Sequence, residues 1–189
     1  MISAVVLAAG TSTRFGSTKQ LVRVQGKTLV QHALDAAIGA GLSDVVVVLG
    51  HEAEAVEASL TLPPTARVVR NPRYREGRSS SLTSGLGACD PETDAAVVLL
   101  GDQPGIRDHH VRALISAFEA LPAEALRLRF RDGPGPALLA RSIWPEITAL
   151  AGDVGAGALL DGQPERVRWV EIDEDAPRDV DTPEDLGRA

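Results

Sequence analysis

Ile2-Ser3-Ala4-Val5-Val6-Leu7-Ala8-Ala9-Gly10-Thr11-Ser12-Thr13-Arg14-Phe15-Gly16-Ser17-Thr18-Lys19-Gln20-Leu21 is an apolar run that stops at a glycine and continues into a loop carrying two cations. The run from Ile2 to Ala9 does not alternate with period two. It therefore predicts a strand buried on both faces, as in a parallel sheet covered by helices. Val45 to Leu49 and Ala95 to Leu100 read the same way. Between the first two runs, Thr28 to Ala40 places Leu29, Val30, Ala33, Leu34, Ala37 and Ile38 at helical spacing, with Gly41 as a stop. His51 to Leu60 and Asp108 to Leu121 predict further helices, closed by Pro63-Pro64 and Pro122.

The second half is less regular. Leu126 to Phe130 and Ala137 to Ala140 predict strands joined through Asp132-Gly133-Pro134-Gly135-Pro136 as a hairpin or return strand, and Arg166 to Ile172 predicts one more. Thr182-Pro183-Glu184-Asp185 has the composition of a helix start. Strand and helix in alternation imply right-handed crossovers. The predicted fold is α/β, a doubly wound, mostly parallel (mixed) Rossmann-like sheet with helices on both faces. With 189 residues, no repeat and no linker, it is read as a single domain over residues 1–189.

Composition narrows the function classes. Hydrophobic residues at 44% and charged ones at 24% exclude a disordered or collagen-like chain. A net charge of −7 disfavours binding to phosphodiester backbones, so no nucleic-acid partner is expected. No apolar stretch approaches the roughly 18 residues of a membrane span, and the start at Met1 lacks a signal-peptide pattern. A lone cysteine, Cys89, cannot form an internal disulfide, which fits a reducing compartment. The expectation is a cytoplasmic protein and, without heptads or an apolar stripe, a monomer.

Each strong strand ends at a glycine, Gly10, Gly50 or Gly101, and polar residues gather just beyond: Arg14 and Lys19, then His51, then Asp102 and Gln103. Ligands of open parallel sheets sit at that carboxyl edge. The first loop lacks both G-x-G-x-x-G and a P-loop's Gly-Lys-Ser/Thr. It is nevertheless a phosphate cradle in composition, since glycines admit backbone N–H groups close to an anion and Arg14 and Lys19 add two charges. Only Lys19 and Lys27 are lysine among 19 basic residues.

The string Leu7 to Leu21 resembles the L-A-A-G-x-S-x-R-[MF]-G-x-x-K-Q-L signature of MobA/MocA-like nucleotidyltransferases, and most of all the molybdenum cofactor cytidylyltransferases. The resemblance implies Mg²⁺-dependent transfer of CMP from CTP to a phosphate-bearing acceptor, of molybdopterin type, with release of pyrophosphate. It assigns Arg14 and Lys19 to the triphosphate, and Leu7, Ala8, Ala9 and Gly10 to base and ribose. Leu100-Gly101-Asp102-Gln103-Pro104 matches the branch's form of a motif whose aspartate ligates Mg²⁺; by itself Asp102 could equally cap the helix that follows. Asp179-Val180-Asp181-Thr182-Pro183-Glu184-Asp185-Leu186 resembles the family's closing motif and implies Asp181 as the second metal ligand. Catalytic roles thus fall to Arg14, Lys19 and Asp102.

Arg78-x-x-Ser81-Leu82-x-x-Gly85-Leu86 is similar to the base-reading segment of cytidylyltransferases and implies contacts from Gly77 and Ser81, although these serines could simply cap the helix they precede. Two departures fall in the half expected to hold the acceptor: Gly157 stands where the family has arginine, and Gly135 where it has histidine. The resemblance divides the domain into a nucleotide-binding half, residues 1–104, and an acceptor-binding half, residues 105–189. GTP as donor, another phosphorylated acceptor, or an inert nucleotide-binding partner of a molybdoenzyme are the competing readings. His32, His51, His109 and His110 show no zinc-ligand spacing, and of the four His51 is expected near the site.

Overall fold

The computed structural model describes residues 1–11, 15, 18–180, 182 and 185. Seven strands form one sheet: β1 (Ile2–Ala8), β4 (Val45–Leu49), β5 (Ala66–Arg70), β6 (Ala95–Leu100), β7 (Ala125–Arg129), β8 (Pro134–Ala140) and β9 (Val167–Glu171), in the order β5-β4-β1-β6-β8-β7-β9. β5, β4, β1 and β6 run parallel; β8 is antiparallel to both neighbours, and β9 is parallel to β7. A small hairpin, β2 (Arg23–Val24) with β3 (Lys27–Thr28), stands apart. The sheet is mixed and mostly parallel, as the apolar runs predict.

The strong strands form because nearly every residue has a buried place to go. Ala4, Val6, Ala8, Val45, Val47 and Leu49 face one core together with α1 (Leu29–Gly39), α2 (Ala53–Ala58) and α4 (Asp108–Ala120). Val5, Val46 and Val48 face a second core with α3 (Arg78–Gly87), α5 (Trp144–Thr148) and α6 (Ala156–Gly162). Helices thus cover both faces. Each fully buried Val or Leu contributes roughly 1.5–3 kcal/mol, so the two cores hold the strand ends in place. α3 sits unusually close to the sheet: a Cβ on Gly85 would come within 2.3 Å of Val5 Cγ1 and 2.9 Å of Val48 Cγ2.

Several boundaries differ from the sequence reading. α2 is shorter than His51 to Leu60 because Glu52 adopts a left-handed backbone (φ 47°) just before it. β8 begins at Pro134, inside the stretch read as a turn, since Phe130 N–H already closes the hairpin on the Gly133 carbonyl. β5 had no sequence signal of its own. It is short and half-buried, and its pairing with β4 makes it a strand. Thr182 N–H and Oγ1 both donate to the Asp185 carboxylate, one half of a capping box, while the Asp185 N–H returns to the Thr182 carbonyl instead of its side chain. Among the described residues no helix is long and apolar enough to cross a membrane.

Candidate active site

A cleft of about 490 Å³ opens at the carboxyl ends of β1 and β6, beside the first turn of α3. Its lining includes Leu7, Ala8, Ala9, Gly10, Lys19, Gly77, Ser81 and Asp102. The structure therefore brings together on one surface every described residue that the sequence singled out for nucleotide, catalysis or metal. Arg14 and Asp181 lie outside the described residues. His51 is not part of the lining, but its ring lies 6.2 Å from that of Tyr74, which is.

Lys19 opens a single helical turn, Lys19–Leu21, and its Nζ donates to Asp102 Oδ2 at 2.8 Å. The pair spans 83 positions of sequence. Gln20 Nε2 donates to the Gly10 carbonyl at 2.9 Å and Thr18 Oγ1 donates to Glu52, so the loop carrying Lys19 is tied down on both sides. The other Asp102 oxygen, Oδ1, is buried and has no hydrogen-bond partner among the described residues. A carboxylate oxygen withdrawn from water without a partner is costly and points to a cationic or donor ligand.

The C-terminal segment reaches the same place. Val180 N–H donates to the Asp102 carbonyl at 3.0 Å, Gln103 Nε2 donates to Asp179 Oδ1 at 2.7 Å, and Asp179 lines the cleft. Val180 is fully buried against Val24 and Leu29, which anchors this stretch beside β6. Sequence reading passed over Asp179 in favour of its neighbour two positions on.

The α3 side of the cleft is closed by a loop from the other half of the chain. Ser79 donates to the Gly152 carbonyl through both its N–H (3.3 Å) and its Oγ (2.8 Å), and Arg78 Nε donates to Asp153 Oδ1 at 2.9 Å. Gly77, at φ 112°, leaves the space this requires, because a Cβ there would fall 2.2 Å from the Gly152 carbonyl carbon. Ser81 is buried and its Oγ accepts a hydrogen bond from Asn71 Nδ2. Tyr74, Arg75, Arg78 and Asp153 also line the cleft. The dense arginine segment was the only sequence signal for the first three.

The two departures in the second half meet on one side chain. A Cβ on Gly157 would lie 3.5 Å from Arg127 Nη2, and Arg127 Nε donates to the Gly135 carbonyl at 3.4 Å. A side chain at 135 would collide with the Phe130 ring, 2.4 Å from the Cβ position. Arg127 is paired with Asp161 at 2.7 Å.

One further cluster was invisible in the sequence because its carboxylate comes from far along the chain. Ligand-type atoms of His109, His110 and Glu174 lie within 4.8 Å of one another. His110 Nδ1 accepts the Arg107 N–H at 3.0 Å, so a neutral ring carries its proton on Nε2 and donates it to Glu174. Burial, outweighing the nearby Glu174, holds His110 below the usual histidine range, and the ring stays neutral near pH 7. The cluster pins the segment after β9 onto α4, and His110 Nε2, carrying its proton, has no lone pair to give a metal.

The sequence profile of the MobA-like NTP transferase domain matches residues 4–167. Nicotine blue oxidoreductase of Paenarthrobacter nicotinovorans is 31% identical, over 99% of this chain and 95% of its own. Rv0371c of Mycobacterium tuberculosis H37Rv superposes with a TM-score of 0.89 at 34% identity, covering 99% of this chain and 96% of that one. A structure of Rv0371c in complex with manganese matches at 0.84 with 33% identity over 99% and 96% of the chains. A nucleotidyl transferase from Methanothermobacter thermautotroptrophicus matches at 0.81 with 25% identity, over 100% of this chain and 95% of that one. Matched by that profile over residues 4–167 and similar nearly end to end to these proteins, this chain belongs to the MobA-like NTP transferase domain family and is a nucleotidyltransferase.

Proposed function

We propose that the chain transfers CMP from CTP to a phosphate-bearing small molecule, of molybdopterin type, and releases pyrophosphate. The observation that carries this reading is the Lys19–Asp102 pair in the cleft, with the second Asp102 oxygen buried and unpartnered among the described residues. Lys19 and Arg14 are assigned to the triphosphate, where fixed cations stabilise charge that develops on the α-phosphate. The backbone of residues 7–10 is assigned to ribose and base, and Gly77 and Ser81 to the base edge. A phosphate acceptor is already anionic, so no side chain has to remove a proton; in-line attack depends on positioning. Residues 1–104 would hold the nucleotide and residues 105–189 the acceptor.

Asp102 Oδ1 fits a hard divalent cation, since Mg²⁺ takes one or two carboxylates together with phosphate oxygens and water. Asp102 and Asp181 are the proposed ligands. When bound, Mg²⁺ supplies neutralising charge at the α-phosphate and the leaving pyrophosphate. The manganese complex of Rv0371c supports a divalent ion in this family.

The test is pyrophosphate release from CTP, GTP and UTP with Mg²⁺ and a molybdopterin-type acceptor. CTP should outrun GTP, and chelation should stop the reaction. A preference for GTP overturns the base assignment; no pyrophosphate from any triphosphate overturns the transfer itself. Oxidoreduction is the second reading, favoured by the near end-to-end similarity to nicotine blue oxidoreductase. A nucleotide-bearing hydride donor would place its phosphates in the same cradle. Consumption of such a donor without pyrophosphate release would decide for that reading.

A further inference from the structure

We propose that Asn71 is a positioning residue of this cleft, fixing the Ser81 hydroxyl as a hydrogen-bond donor toward the base. The inference rests on the reading of the cleft as a nucleotide site with the base beside Ser81. Asn71 follows β5 and is 1% exposed, and its own N–H extends the strand ladder to the Leu49 carbonyl at 2.7 Å. One end of its side-chain amide lies 2.9 Å from the Arg73 N–H. A backbone N–H can only donate, so that end is the oxygen, and the amide orientation is determined.

The Nδ2 group then faces two serines and gives one hydrogen to each, at 2.9 Å to Ser80 Oγ and 3.0 Å to Ser81 Oγ. Ser80 has acceptors for its own hydrogen in the Arg73 and Gly77 carbonyls, both at 2.9 Å. No described residue accepts the hydrogen of Ser81, although Ser81 is only 6% exposed and lines the cleft. Its oxygen is engaged from behind and its hydrogen is left for the ligand. A buried hydroxyl in that state favours whatever brings an acceptor. The ligand atom at Ser81 is therefore a carbonyl oxygen or an unprotonated ring nitrogen, such as cytosine O2 or N3. An amino group or ring N–H there could reach only the remaining lone pair and would leave the hydroxyl hydrogen without an acceptor.

The experiment measures CTP binding by calorimetry, and kcat and KM, on the full chain carrying Asn71→Ala, Asn71→Asp, Ser81→Ala and the corresponding doubles. Asn71→Asp keeps the shape and the Arg73 contact but draws the Ser81 hydrogen away, and it covers the case in which the alanine variant does not fold. Each single change should raise Kd and KM about tenfold, as loss of one neutral hydrogen bond does, with kcat within about twofold. In the Ser81→Ala background a change at Asn71 should add less than about twofold, since Ser81 transmits its effect. Full CTP affinity in Asn71→Asp, or an effect that multiplies through undiminished in the double variants, overturns the proposal. If the wild type binds no nucleoside triphosphate, the nucleotide reading falls with it. If Ser81→Ala weakens CTP and Asn71→Asp does not, only the role of Asn71 falls.

Discussion

Asp44 and Asp102 stand at opposite ends of the same parallel sheet and have opposite hydrogen-bond balances. Asp44 precedes β4 at the amino edge; its carboxylate accepts from the Ser3 hydroxyl at 2.5 Å, the Asp90 N–H at 3.0 Å and the Arg67 guanidinium. Ser3 also meets Thr93 Oγ1 at 2.6 Å, and Arg141 ties in through the Thr93 carbonyl. Asp102 follows β6 at the carboxyl edge, pairs with Lys19 through one oxygen and leaves the other unpartnered among the described residues. Both are acids beside a Val-rich strand. A saturated carboxylate holds a fold together, whereas a partly satisfied one is poised for a ligand. Strand direction decides which is which, because loops and helix N-termini converge only on the carboxyl edge.

The largest effect expected from breaking this contrast lies at Asp102. Asp102→Ala and Lys19→Ala should each lower pyrophosphate release by roughly 10²–10³-fold while the thermal midpoint barely moves. Wild-type turnover in either variant would remove the pair from the chemistry.

Asp44→Ala should do the reverse, costing about 3 kcal/mol of stability because Arg67 and Ser3 lose a buried partner, while turnover per folded molecule is retained. Burial pushes the Asp44 carboxyl up, but the Asp90 N–H, Ser3 and Arg67 outweigh it and hold it below the ordinary carboxylate value. A carboxyl depressed in the folded state stabilises fully above its unfolded pKa, near 3.9, and loses that contribution as pH falls through the lower folded value. Urea midpoints measured between pH 7 and pH 2.5 should therefore fall more steeply for the wild type than for Asp44→Asn. Parallel curves would contradict the assignment.

Gly85→Ala sharpens the comparison from the packing side and should have the smallest effect. Its methyl would press on Val5 and Val48 and lift α3, at a cost of about 2 kcal/mol. Because α3 carries Ser81, CTP affinity should fall along with stability. Denaturant midpoints and calorimetry on the same sample check both.

The same geometry shows why some features could be read in advance. β1, β4 and β6 were legible as uninterrupted apolar runs, and α1 and α4 from helical spacing. β5, at the sheet edge, lacks such a run, and α5 and α6 are too short for a period to show. Among site residues, Lys19 and Asp102 could be named from their own segments. The docking of Asp153 on Arg78, the approach of Asp179 to Gln103, and the Asn71–Ser81 contact could not.

Local patterning by itself determined the strand and helix types, the glycine-ended loops at one edge, and the residue types able to manage phosphate charge. Each of those depends on backbone sterics and burial within a few turns of chain. Tertiary structure alone decided that Lys19 meets Asp102 across 83 positions, that Asp102 keeps an oxygen unpartnered among the described residues while Asp44 does not, and that Asn71 meets Ser81 beside the cleft. Hydrogen-bond balance depends on which distant groups the packed sheet and helices bring within 3 Å or so, and no period or spacing in the chain encodes that count.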